Sequence, residues 1–204
     1  MKKPSVFLCA IVLVFGITGS VNAALFDRGG GLIYDDYLDV TWLQDACYAG
    51  TSGAYTGGWM WWDEALDWAS DLVYYDSVRN TYWSSWRLSD AYNQDGTGPT
   101  YGVNTDSEMG HLCNIDGINT VITGPFINVQ DNYWTSTAIS KINVWYFEFN
   151  PGGMMSIANI YSQRQAWAVM DGDVEPAAVP IPQAVWLMAS GLLGLLGMGY
   201  KSKK

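Results

Sequence analysis

His111 is the sole histidine, four residues after Ser107 and two before Cys113. Beside Ser107 or Ser136 it would suit acyl transfer, but no Gly-x-Ser-x-Gly elbow is present to expose such a hydroxyl. With Cys113 it would make half of a zinc site, which wants three or four ligands at regular spacing, and a second Cys/His cluster is missing. His111 is therefore expected as a capped or partly buried helix residue. With no nucleophile–base or metal constellation in sight, no enzyme is expected.

Calcium is the more serious cation, because hard ions want several oxygen ligands. The stretch Asn93 to Glu108 offers Asp95, Asn104, Asp106 and Glu108. Their spacing does not match an EF-hand, and Asn and Asp are ordinary turn residues. A solvated loop without a cofactor is the first expectation there, and a calcium site the second.

Sugar recognition has its own residue type. Apolar sugar faces stack on indole rings, while Asp and Asn accept hydrogen bonds from hydroxyls. In Trp59-Met60-Trp61-Trp62 the rings cannot all face one side of a helix, so Trp59, Trp61 and Trp62 are the candidate ligand-facing aromatics. Trp68, Trp86, Trp134 and Trp167 sit at positions that suit packed elements and are expected in the core.

The elements that must position these residues read as α+β. Residues 32–43 suggest short strands broken at Asp35-Asp36. Ala65, Trp68, Ala69 and Leu72 recur at helical spacing and predict a helix over 62–73, with Asp63 and Glu64 suiting its N-terminal dipole. A short second helix follows from Asp106 to Leu112, capped by Asp106 or Ser107. Loops are expected over 49–58 and 93–106. Strands are expected over 132–137, 144–149 and 165–170, with a turn at Asn150-Pro151-Gly152-Gly153.

The two ends of the chain carry signals. Lys2 and Lys3 precede an apolar stretch and a Val21/Ala23 cleavage site, so residues 1–23 read as a signal peptide. Residues 24–178 then form one exported domain. Residues 179–204 end the chain: Val179-Pro180-Ile181-Pro182-Gln183, an apolar run over 184–200 and three lysines. That run gives about 26 Å of helix, close to the thickness of a bilayer core.

Five of the ten basic residues lie in these ends, whereas all 20 acidic residues lie between them. The exported part thus carries five cations against 20 anions, a formal charge of −15. Such a surface excludes nucleic acid, anionic lipid and sulfated or uronic polysaccharide as unassisted partners. Neutral sugars, divalent cations and proteins remain. Ten tryptophans in this part argue for a packed core rather than disorder. Cys47 and Cys113, 66 positions apart, could form one disulfide after export or stay as two thiols.

The tail resembles the VPLPA-type PEP-CTERM sorting signal, with Ile181 for Leu and Gln183 for Ala. The resemblance implies export by signal peptidase, transient residence in the inner membrane of a Gram-negative bacterium, and removal of the tail by an exosortase. The mature protein would then reach the cell surface or an exopolysaccharide matrix. The middle has its own resemblance, carried by Trp42-Leu43, Trp86-Arg87-Leu88, Ser107 to Leu112, Tyr133 to Thr137 and Ala166 to Val169. It is similar to the domain of unknown function related to the C-terminal domain of a collagen-like surface adhesin (Lcl).

That resemblance implies a C-type-lectin-like or formylglycine-generating-enzyme-like single domain. Ser89 stands where the family has proline and Met170 where it often has arginine. The family supplies no catalytic set, and two distant cysteines give no support to formylglycine chemistry. The expected function is a non-enzymatic surface or matrix protein binding exopolysaccharide, another glycan or a surface protein. A self-associating matrix component and a calcium-dependent adhesin are the alternatives.

Overall fold

The computed structural model describes residues 25–150 and 152–174. The expected signal peptide, the Val179–Gln183 motif and the apolar run after it lie outside the described residues. In chain order the elements are β1 (Leu25–Gly29), β2 (Leu32–Asp35), β3 (Val40–Leu43), α1 (Tyr48–Thr51), α2 (Trp62–Asp71), β4 (Tyr74–Asp76) and β5 (Thr81–Trp83). There follow β6 (Arg87–Leu88), β7 (Gly102–Val103), α3 (Glu108–Asn114), β8 (Asn132–Ala138), β9 (Asn143–Glu148), β10 (Met154–Asn159) and β11 (Ala168–Asp171). Strands dominate and the helices are few and short, as the α+β reading expects.

The strands form a five-stranded antiparallel sheet in the order β1-β2-β3-β11-β6, a four-stranded one in the order β7-β10-β9-β8, and the hairpin β4-β5. The break predicted at Asp35-Asp36 is real, and Asp35 makes it. Its Oδ1 accepts the amide protons of Tyr37 and Leu38, both at 3.1 Å, so the side chain replaces a ladder bond and turns the chain. The last strand then returns between β3 and β6, with Val169 opposite both Trp42 and Arg87. Pairing on both edges buries Ala168, Val169 and Met170, and β3 beside it is buried at all four positions.

Two apolar clusters fill the interior. The larger centres on Trp167, fully buried, whose ring lies 4.9 to 5.8 Å from those of Trp42, Phe126, Tyr133 and Phe149. Its indole N–H donates to the Leu43 carbonyl at 2.8 Å, so this buried donor is satisfied. The smaller joins Ala65 and Ala69 of α2 to Met60, Leu88, Trp134 and Val144. Trp86, Trp134 and Trp167 are core residues as expected. Trp68 is only half-buried, because it lies at the seam between the two clusters.

Several elements depart from the sequence reading. Strands β1, β4, β5, β6, β7 and β10 were not expected, and the stretch expected as a loop over 49–58 takes up most of α1 and a 3-10 turn at Thr56–Gly58. β11 begins at Ala168 rather than Gln165, because Gln165 is used elsewhere: it bonds the Asn132 carbonyl and the Trp134 amide of β8. The disulfide is not formed, and Cys47 and Cys113 are both free. Cys47 lies at the start of α1, its thiol 3.8 Å from the Gly57 carbonyl and packed so tightly that a Cβ on Gly58 would lie 2.8 Å from the sulfur. Cys113 lies on α3, and burial alone pushes its thiol up to about 11.

Replacing Trp167 by Ala should cost about 3–5 kcal/mol of unfolding free energy in urea denaturation. The same change at exposed Trp59 should cost about 0.5 kcal/mol or less.

Candidate functional site

Residues 59–61 are extended, and their middle residue is pinned. Met60 exchanges both backbone hydrogen bonds with Arg164, each at 3.1 Å, and its carbonyl also takes the Trp134 indole N–H at 3.0 Å. Alternation along an extended segment then decides where the side chains point. Met60 is fully buried, whereas Trp59 and Trp61 are 47% and 48% exposed. Two indoles thus stand on the same side of a rigid backbone, about 7 Å apart along it. Tyr161, 75% exposed, faces Trp61 across a hollow of about 320 Å³ that Asp63 and Ile160 complete. Flat aromatic faces, a neighbouring carboxylate and a fixed backbone suit stacking of a sugar ring with hydroxyl bonds at its rim.

Trp62 is not on this ledge. It opens α2 and turns inward, and its indole N–H donates to the Thr135 carbonyl at 2.8 Å. Glu64 accepts the Trp61 amide proton at 2.9 Å, which fixes the point where the extended segment becomes helix. Tyr161 escaped the sequence reading because it sits in a turn after β10, and only the fold brings it to Trp61.

A second concavity, of about 560 Å³, lies between Arg87, Glu108, Asp171, Asp90 and Tyr92. An arginine in a cleft invites an anion, but this one has nothing left to give. Nε and Nη2 donate to Asp171 Oδ1 at 3.0 and 2.6 Å, Nη2 also to Glu108 Oε1 at 2.6 Å, and Nη1 to Glu108 Oε2 at 2.9 Å and the Leu88 carbonyl at 3.1 Å. All five N–H groups are used. Burial works to lower the Arg87 pKa, but hydrogen bonds and charge from Glu108, then Asp171, outweigh it and raise the pKa. The arginine is a clamp joining β6, α3 and β11, and sequence alone gives it only a place in a motif.

The four calcium candidates do not converge. Glu108 is committed to Arg87 and to the Asp90 amide at 2.7 Å. Asn104 Oδ1 accepts the amides of Asp106 and Ser107 at 3.1 and 2.8 Å. Asp95 binds the Thr97 hydroxyl and amide, which hold its carboxyl below the ordinary value. These oxygens build their own loop, and among the described residues no group of three or more His, Cys, Asp or Glu side chains is arranged to hold a metal.

His111 is buried in α3 under Tyr37, whose ring lies parallel to it at 4.0 Å. Ser107 and Ser136 serve other partners: Ser107 caps α3 through the Gly110 amide at 3.2 Å, and Ser136 bonds the Ser89 carbonyl at 3.2 Å. Among the described residues no helix is long and apolar enough to cross a membrane. Comparison with protein-family models and with curated proteins finds no match to this chain.

Replacing Arg87 by Ala strands Glu108 as a nearly buried charge. The expected loss is about 3 kcal/mol by chemical denaturation, the lower end for buried pairs because Arg87 is partly exposed. Lysine at this position should recover only part of it, since one ammonium cannot supply five N–H donors.

Proposed function

We propose that this chain is an exported, non-enzymatic surface or matrix protein that binds neutral polysaccharide on the Trp59–Trp61–Tyr161 ledge. The observation that carries this reading is the pair of exposed indoles on one side of a backbone pinned at Met60. Leaving large aromatic faces in water is unfavourable unless something covers them, and a sugar's apolar face is of the right shape. The −15 charge between the two terminal signals favours an uncharged glycan over a polyanion.

The route outward is read from the sequence. The N-terminal signal exports the chain, and an exosortase cuts the tail at or near Val179–Gln183 after the apolar run has held it in the membrane. The C-type-lectin-like arrangement is the finer reading of the fold. The return of β11 between β3 and β6, which joins the chain's late and early strands in one sheet, supports it. Calcium plays no part in this reading, because Asp95, Asn104 and Glu108 spend their oxygens on Thr97, on backbone amides and on Arg87.

Titration of the full-length protein with the producing cell's neutral exopolysaccharide tests the ledge. The double variant Trp59→Ala/Trp61→Ala should bind at least about tenfold more weakly, a loss of about 1.4 kcal/mol, while its unfolding midpoint stays close to that of the parent. Equal binding by both proteins would refute the ledge. Intact-mass analysis of the native protein tests the route: a product ending near Pro182 is expected, and a chain retaining Lys204 would make the tail a plain anchor.

A further inference from the structure

Away from the ledge and the cleft, buried polar atoms without partners are the Trp42 indole N–H in the core and those of three side chains at the β2–β3 turn and α3. The latter are Asp35 Oδ2 in the turn after β2, His111 Nε2 in α3 and Asp116 Oδ2 just beyond α3. Asp35 is fully buried, and the side chains of His111 and Asp116 are 5% and 8% exposed. His111 Nε2 and Asp116 Oδ2 are 3.9 Å apart, beyond hydrogen-bond reach of about 3.2 Å. Burial holds the His111 pKa below its ordinary value and favours the neutral ring, whose Nε2 has no partner. Two open carboxylate oxygens beside one open ring nitrogen leave at least one acceptor without a donor. Native interiors rarely leave such groups open without a use for them.

We propose that Asp35, His111 and Asp116 form a proton-operated latch between the β2–β3 turn and α3. One proton taken from water supplies the missing donor, and the 3.9 Å gap between His111 and Asp116 closes to a hydrogen bond. Its loss leaves like charges facing one another and loosens the turn from the helix. Tyr37 sits over the imidazole and is itself 52% exposed, so it covers the latch while lying at the surface. The titratable groups around it are Asp35, Asp36 and Tyr37 from the turn, Asp106 ahead of α3, His111 on it, and Asp116 after it.

The direction with pH follows from these neighbours. Burial, then the charges of Asp35 and Asp36, push the Asp116 carboxyl up to about 7 from its ordinary 3.8. Burial likewise raises Asp35, against the opposing pull of the Leu38 amide and His111. Between about pH 4 and 7 the folded chain therefore holds a proton that the unfolded chain has released. That contribution is complete below about pH 4 and fades as pH rises through 7. His111 opposes it: burial lowers its pKa, so its share is present above about 6.5 and is lost in acid.

Carboxylate and imidazole NMR of the full-length protein over pH 4 to 8, paired with denaturation midpoints, tests the latch. Asp116 should titrate near 7, and the Tyr37 ring signals should follow the same curve. Asp116→Asn supplies a permanent donor, so its midpoint at pH 8 should exceed the parent's and vary less with pH than that of the surface control Asp67→Asn. An Asp116 midpoint near 4, a Tyr37 ring that ignores it, or parallel pH profiles for Asp116→Asn and the parent would overturn the proposal. So would a shift of these signals by zinc or calcium at constant pH, because the ligand would then be a metal ion.

Discussion

Trp167 and the segment that carries it hold the described part of this protein together. Residues 164 to 171 join several parts of the architecture in turn. Arg164 pairs with Met60, Gln165 with β8, Trp167 with the main core, Val169 with β3 and β6, and Asp171 with the Arg87 clamp. Because successive side chains of an extended segment point to opposite faces, one strand of chain can reach both sheets. The ledge and the cleft are therefore set by the same eight residues, although they lie on different parts of the surface.

Electrostatics follows a second constraint. The few arginines are committed to internal work rather than to a partner. Arg28 binds Asp173 at 2.9 and 2.5 Å, Arg79 binds buried Asp76 at 2.6 Å, Arg87 closes its clamp, and the Arg164 guanidinium lies 3.7 Å from the Tyr146 ring centre. What faces outward is dominated by carboxylates. A ledge for an uncharged ligand on such a surface needs no cation, only flat apolar faces and acceptors, and these are what Trp59, Trp61, Tyr161 and Asp63 provide.

The sequence made the periodic and the polar punctuation legible. Ala65 and Ala69 mark the buried face of α2, Asp106 or Ser107 the cap of α3, and Asp35-Asp36 the turn between β2 and β3. Long-range consequences were not legible. Nothing near Gln165 announces that its amide belongs to β8, so the start of β11 was displaced. Trp62 looked equivalent to Trp59 and Trp61 until the helix start turned it toward Thr135. The clamp on Arg87 joins positions 21 and 84 residues away, and no local pattern encodes such a meeting. The loop carboxylates suggested calcium because turn-building and ion-binding use the same residue types.

The most direct test of the account is to watch the indole N–H signals of the full-length protein as neutral exopolysaccharide is added. The ledge predicts that Trp59 and Trp61 shift together, along with the Tyr161 ring, while the buried indoles of Trp42, Trp134 and Trp167 stay in place. Unmoved Trp59 and Trp61 signals at saturating polysaccharide, or shifts confined to Tyr92 and the Arg87 cleft, would contradict it.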